Sequence, residues 1–478
     1  MRRNLSALFN QSLHHQSTPR GCGLNSALKM DSRKKRKLAA RIVRKLRKKG
    51  FQAYFVGGCV RDIVMRKVPK DIDIATDAGL TRIEKIFPRK TYPVGARFGT
   101  LLVVEDKMPF QVSTFRGRRG RRSLSLSEDV GMRDFTINGL AYEPLKKRII
   151  DLVGAKSDIR KKKIRAIGDA SCRFAQDPLR LIRAVRFAVT LGFSIDDKTF
   201  QAVKKMAGCI KRVSAERIRD ELILIFTSPN PSLGLNLLDE TGLIRHILPQ
   251  IDSLKGVEQP RAFHPEGDVF IHTLLMLKQL KSPSLLLVFA CLFHDIGKPA
   301  TRQVAERIRF SGHDKLGARM TDRILKRLRF SNKDRENIVA CVENHMRMME
   351  APKMREATLK RLLTRPTFDV ELALHRIDCI ASHKDLTIWR FLRKKCREFK
   401  KRPVIPKPLL NGYELIKIGF TPGPIFGKIH RQMVDMQLEG KLTGKSQARS
   451  WVKQYFRHCE EPKATKQSQK KIASLRSQ

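Results

Sequence analysis

The sequence predicts an α+β fold in which a small mixed-sheet head is followed by an all-helical remainder. Three observations carry this. Short β-prone apolar runs at residues 51–56, 71–74, 100–104 and 111–114 alternate with helical spacings early in the chain. From Ser171 onward the strand signals vanish, and apolar residues recur at helical spacing through residues 180–193, 215–226 and 233–248. A length of 478 residues is enough for about three compact units.

Taken in order, residues 1–34 read as a disordered or leader segment. Residues 1–30 hold no Asp or Glu and several Arg and Ser, a composition shared by transit peptides and basic leaders, and Met30 is an alternative start. Residues 35–49 alternate basic side chains with Leu38, Ala39, Ile42, Val43 and Leu46, an amphipathic helical spacing that ends at Gly50. The α/β head then occupies residues 35–160 and a helical neck residues 161–260, followed by a third helical region at 261–400. Pro403, Pro406 and Pro408 mark a boundary before a C-terminal helical segment, 401–456, and a polar basic tail, 457–478. No internal repeat is present.

Composition narrows the partners. Lys and Arg number 98 against 46 acidic residues, a formal charge of +52, and such self-repulsion calls for a polyanion, with nucleic acid the natural one. The longest apolar stretch, residues 285–293, stops at His294 and Asp295, short of the roughly 20 residues a membrane span needs, and reads as a buried helix. Nine cysteines between Cys22 and Cys459 include no C-x-x-C pair, which points away from a disulfide framework or zinc knuckle and toward a reducing, cytoplasmic setting. Oligomeric state is not legible.

The chemistry concentrates in the head. VGGCVRD, residues 56–62, follows an apolar strand and sets two glycines at its turn into a helix, where backbone N–H groups can receive phosphate. Paired glycines serve any tight strand-to-helix turn as well. Nine residues on comes D-I-D, residues 71–73, expected on a strand where positions i and i+2 share a face, so that Asp71 and Asp73 point the same way. A solvated acidic edge would look similar, but adjacent carboxylates are also what two-metal phosphoryl transfer requires. Glycine turn, Arg61 and paired aspartates together supply a phosphate cradle, a cation and a metal site.

VGGCVRD and KDIDIAT, then MRDFTINGLAY at residues 132–142 and QDPLRLIRAVRF at residues 176–187, resemble the class II tRNA nucleotidyltransferase and bacterial poly(A) polymerase family, over about residues 50–451. The resemblance implies a nucleotidyltransferase head in which Asp71 and Asp73 hold catalytic Mg²⁺, with Gly57, Gly58 and Arg61 meeting the triphosphate. It implies that Arg133 and Asp134 border the sugar, that Asp177 and Arg180, expected one helical turn apart, read the base edge, and that Arg183 and Arg186 continue toward the phosphates. The chain departs from the family at Gln111, Met132 and Gln176, where relatives commonly carry a carboxylate, an Arg and a Glu. The first departure bears on metal positioning and the third on the base-reading turn.

A second constellation lies downstream: His272, then HDIG at residues 294–297, then Asp378. This resembles the HD phosphohydrolase superfamily, which implies a divalent transition metal held by His272, His294, Asp295 and Asp378, with His313 and His345 where dinuclear members place further ligands. Its substrate is not readable from the sequence.

The expected activity is CCA addition to tRNA from CTP and ATP. Poly(A) addition shares the same motifs, and the segment between Arg116 and Asp134, shorter than the flexible loop of most CCA-adding relatives, suits CC-only addition. A non-catalytic RNA-binding relative is the remaining reading, against which stand the intact Asp71 and Asp73.

Overall fold

The computed structural model describes residues 22–93, 99–116, 125–304, 306, 308–398 and 405–455. The first part of the leader, the centre of the shortened 116–134 segment, Pro403 and the basic tail lie outside the described residues. The chain divides into two compact units between Arg212 and Val213.

The first unit is built on a seven-stranded mixed sheet. Its strands are β1 (Ala53–Val56), β2 (Asp73–Thr76), β3 (Thr91–Tyr92), β4 (Thr100–Glu105), β5 (Met108–Thr114), β6 (Leu140–Glu143) and β7 (Arg148–Asp151), in spatial order β3-β4-β5-β2-β1-β6-β7. Every pairing is antiparallel except β2 with β5. The first helix, Cys22–Lys48, begins well before residue 35, where the sequence placed it. Its apolar stripe, Leu38, Ala39, Ile42, Val43 and Leu46, is fully buried, and the helix packs on β1, β2 and β4. A second layer of core joins Val56, Ala75, Phe115, Leu126, Val130 and Ala141.

Two expectations about strands need correcting, the first for the strand of the paired aspartates. The strand begins at Asp73, with Asp71 in the approach to it. The reason lies in the partner: Val56 pairs with Asp73 and is the last residue of β1, because Gly57, at φ 75°, turns the chain into the helix Gly58–Val64. Asp71 therefore has no ladder partner on that side. Strands also persist past Ser171. Ser194–Ile195 pairs in parallel with Lys163–Ile164, and Gln303–Val304 with Ile308–Arg309, each too short to carry an alternating pattern.

The second unit is otherwise helical. The apolar spacing of residues 233–248 is divided between Pro231–Glu240 and Ile244–Ile247, since Gly242, at φ 70°, interrupts the helix. Leu285–Phe293 is a buried helix, as its composition predicts. A separate core of Leu410, Leu415, Phe420, Ile429, Met433 and Leu442 holds the C-terminal helices Gly412–Ile418 and Pro424–Leu438. Among the described residues no helix is long and apolar enough to cross a membrane.

Candidate nucleotidyl-transfer and metal sites

In the first unit the aspartates sit beside the glycine turn. Burial pushes the Asp73 carboxyl above the usual carboxylate range, and the charge of Asp71 adds to it, opposed by Arg133, Arg116 and Lys35. Asp71 is exposed and takes a hydrogen bond of 2.9 Å from the Lys35 ammonium. Two crowded carboxylates with cations around them form an oxygen donor set that fits a hard divalent ion. Gln111 is their neighbour: it stands one residue before Val112 of β5, as Asp73 stands one before Ile74, the partner of Val112.

Gly57 is required by its dihedral, and a side chain there would also crowd Arg133. A Cβ there would come within 3.2 Å of the Arg133 guanidinium. Arg133 is itself held by Asp129 at 2.7 Å, one helical turn earlier. Asp134 is buried, and Arg183 donates to its Oδ2 from Nε at 2.9 Å and from Nη2 at 2.6 Å. Burial alone would raise the Asp134 pKa, but Arg183, Asn138 and the Phe135 amide bring it down to about 2. The Phe187 ring lies under the guanidinium groups of Arg186, Arg183 and Arg61, at 3.9, 5.1 and 5.6 Å, so these residues share one apolar platform.

Asp177 and Arg180 do not lie on one helix, as the spacing suggested. Asp177 ends the helix Ala170–Gln176, and Arg180 belongs to the next, Leu179–Leu191, because Pro178 interrupts the backbone. They remain close, since the Arg180 amide donates to the Asp177 carbonyl at 3.1 Å. The Arg180 guanidinium is nearly buried and donates to the carbonyls of Met132 and Arg173, at 2.8 and 3.2 Å, and to Gln176 Oε1 at 3.5 Å. Gln176 thus still supplies an acceptor, and Met132 contributes its backbone carbonyl to Arg180 and its sulfur to Arg173 at 3.7 Å.

In the second unit, His272, His294 and Asp378 form one group whose ligand atoms all lie within 4.8 Å of one another, and Asp295, His313 and His345 form a second. All six residues predicted from the sequence therefore converge. His294, His313 and His345 direct Nδ1 to the carbonyls of Cys291, Phe310 and Val342, at 2.9, 2.8 and 2.6 Å, each three residues earlier. That fixes the proton on Nδ1 and leaves Nε2 as the lone-pair atom facing the cluster. His272 Nε2 and His294 Nε2 are buried and make no hydrogen bond of good geometry, although oxygens of Asp378 and Asp295 approach them at 3.1 and 2.9 Å. Imidazole nitrogens and carboxylate oxygens packed this way fit a shared divalent cation. Burial would lower the His272 pKa, but Asp378 and Glu266 raise it to about 9, whereas burial and the neighbouring His294 lower His345 to about 4.

Several residues escaped the sequence reading. Glu266 and His264 form a third group with His272; their signal was the His and Glu of H-P-E ahead of an apolar helix. Asp129, Phe187 and Asn138 were hidden because nothing in a sequence marks which buried side chain touches an arginine.

A mixed-sheet head carrying paired aspartates beside a glycine turn, in a chain that also bears a histidine and aspartate cluster, defines a nucleotidyltransferase with an appended HD-type domain. Residues 53–165 match the Poly A polymerase head domain, residues 192–255 the family described as probable RNA and SrmB-binding site of polymerase A, and residues 268–382 the HD domain. The multifunctional CCA protein of Pseudomonas paraeruginosa is 32% identical over 337 residues, covering 67% of this chain and 80% of that protein. The A-adding tRNA nucleotidyltransferase of Deinococcus radiodurans is 29% identical over 425 residues, covering 84% and 95%. Among solved structures, the Bacillus stearothermophilus CCA-adding enzyme in complex with CTP superposes with a TM-score of 0.70 at 27% identity, covering 89% of this chain and 98% of that one. This chain belongs to the CCA-adding tRNA nucleotidyltransferase and poly(A) polymerase family.

Proposed function

We propose that this protein adds CCA, or part of it, to tRNA 3′ ends from CTP and ATP without a template, in the cytoplasm. The observation that carries the reading is the pair Asp71 and Asp73 beside the Gly57 turn, with Arg61, Arg133 and Asp134 around it. Asp71 and Asp73 would hold Mg²⁺, which when bound would supply positive charge for the attacking RNA 3′ hydroxyl and the departing pyrophosphate. Gly57 and Gly58 admit the triphosphate close to the backbone, Arg61 meets its charge, and Arg133 borders the sugar with Asp134. Arg183 anchors Asp134 for the sugar, and Arg186 extends the cationic face. Asp177 and Arg180 offer acceptor and donor groups to the base edge in place of a template strand. By this reading residues 35–160 transfer the nucleotide, residues 161–260 read the base and bind RNA, and residues 401–456 extend the grip.

A second reading, partial addition, is favoured by the short 116–134 segment and by the likeness to an A-adding relative. One experiment separates these. Purified protein is given tRNA lacking its 3′ CCA, or tRNA ending in CC, with labelled CTP and ATP. Full CCA addition supports the proposal; stopping after CC, or adding A only to the CC-ended substrate, assigns partial activity. Long A tails on unrelated RNA would identify a poly(A) polymerase, and no incorporation a binding protein.

For residues 261–400 we propose a metal-dependent phosphohydrolase site. His272, His294, Asp295 and Asp378 would hold a divalent transition metal, with His313 and His345 available for a second, and the metal would supply Lewis-acid chemistry for hydrolysis of a phosphate ester, in which water adds to phosphorus and the ester P–O bond breaks to release the alcohol. Metal analysis of the purified protein tests the premise, because a protein that neither copurifies with nor binds a transition metal has only a helical scaffold there.

A further inference from the structure

We propose that Asn138 is a positioning residue of the nucleotide site, a buried amide that locks Arg61 to the Asp134–Arg183 pair so that the groups meeting triphosphate and sugar move as one. The inference rests on the reading above, in which Arg61 meets the triphosphate and Asp134, anchored by Arg183, borders the sugar.

Asn138 ends a short 3₁₀ turn, Thr136–Asn138, and is 6% exposed. Its Oδ1 accepts from Arg61 Nη1 at 2.9 Å, and its Nδ2 donates to Asp134 Oδ1 at 3.0 Å. A guanidinium only donates and an ionised carboxylate only accepts, so the two partners together dictate the orientation of the amide. No other side chain of similar size offers both groups in one plane. The rest of the network is already charged: Asp134 takes Arg183 on its other oxygen, and Arg61 gives Nε and Nη2 to Asp62 Oδ1 at 3.1 and 2.9 Å. A line therefore runs Asp62, Arg61, Asn138, Asp134, Arg183, and its one neutral member joins the two ion pairs.

The turn that carries Asn138 is itself fixed. The Thr136 hydroxyl donates to Asp158 at 2.6 Å, its amide donates to the Arg165 carbonyl at 2.8 Å, and a Cβ on the following Gly139 would meet Val153 at 2.6 Å. The Phe187 ring lies against both guanidinium groups, of Arg61 and Arg183, at 5.6 and 5.1 Å. An amide held this firmly loses little entropy when it holds a flexible guanidinium, which is what a positioning group requires.

The test uses the full chain and compares Asn138→Ala, Arg61→Ala and the double variant in steady-state addition to tRNA with CTP and ATP varied. Asn138→Ala is expected to raise the nucleotide KM about tenfold or more, the effect of losing hydrogen bonds to charged groups, with the KM for tRNA unchanged. The double variant should fall clearly short of the product of the two single effects, because part of what Asn138 does is exerted through Arg61. Fold-changes that multiply, or a uniform fall in kcat with the nucleotide KM unmoved, would overturn the proposal. Asn138→Asp guards against misfolding, since it preserves size and the Arg61 contact but sets an oxygen against Asp134; a nucleotide KM equal to wild type in that variant also overturns it. If Arg61→Ala itself leaves the nucleotide KM unchanged, the reading of the nucleotide site fails first, and the proposal falls with it.

Discussion

Asp73 and Asp134 lie in the same unit and are shifted in opposite directions, and the difference predicts how each behaves when altered. Burial and the adjacent Asp71 raise the Asp73 pKa, so its charge is a cost to the metal-free fold. Asp73→Asn is expected to stabilise the protein in chelator by up to about 1 kcal/mol, a trade of stability for function. The same change should lower nucleotide incorporation at least about a hundredfold. Thermal melts beside labelled CTP incorporation check both, and near wild-type incorporation would remove Asp73 from the mechanism. Asp134, by contrast, is depressed to about 2 by Arg183 and its hydrogen bonds despite burial. Its folded pKa lies below the unfolded value of about 3.9, so its contribution is complete above that pH and disappears as the pH falls toward 2. Asp134→Asn should flatten the acid limb of stability between about pH 4 and pH 2, measured by denaturant unfolding across that range. An unchanged acid limb would mean that other carboxylates dominate it.

At the scale of elements, the HD turn depends on one glycine. Gly297 has ordinary dihedrals, so it is required for space: a Cβ there would lie 2.2 Å from the His313 carbonyl oxygen and 2.9 Å from the Gly317 amide. The turn therefore packs directly on the helix His313–Arg327, which is what brings His313 to Asp295 at 3.5 Å. Gly297→Ala should cost about 3 kcal/mol or lose metal binding outright, whereas Gly317→Ala, whose nearest contact is 3.5 Å, should be milder. Comparing melting temperature and metal content of the two variants tests this, and equal effects would deny the packing its role. Helix periods were legible where the sequence was strongly apolar on one side, as in residues 35–49 and 215–226. Several ends were not, because Pro178 and Gly242 cut elements that periodicity runs straight through, and the start of β2 at Asp73 is set by a partner strand.

Over the whole molecule, charge and division into two units make separable predictions. With a net charge of +52, phosphate neutralisation should dominate RNA binding, so log affinity should fall linearly with log salt by about 0.7 to 0.9 per phosphate contact. A flat response in a filter-binding titration would assign the charge to another partner. His294→Ala and Asp295→Ala should remove bound transition metal and any phosphoesterase activity yet leave nucleotide addition intact, because the two ligand sets fall on different sides of the Arg212 and Val213 division. Loss of both activities in either variant would show that the units are energetically coupled.

What the sequence determined by itself was chemistry carried by residue identity at short spacing. Asp71 and Asp73 beside a glycine turn, the HDIG motif with His272 and Asp378, and the excess of Lys and Arg each constrain function without a fold. What only tertiary structure decided was which of these groups are held, and by what. Periodicity gives the face of an element but not the partner across it, so Asn138 between Arg61 and Asp134, Phe187 beneath three arginines, and Glu266 against His272 at 2.6 Å became visible only when residues far apart in sequence were packed together. The physical reason is that a buried polar group must find its complement wherever the packed chain supplies one, and that choice is made by the fold.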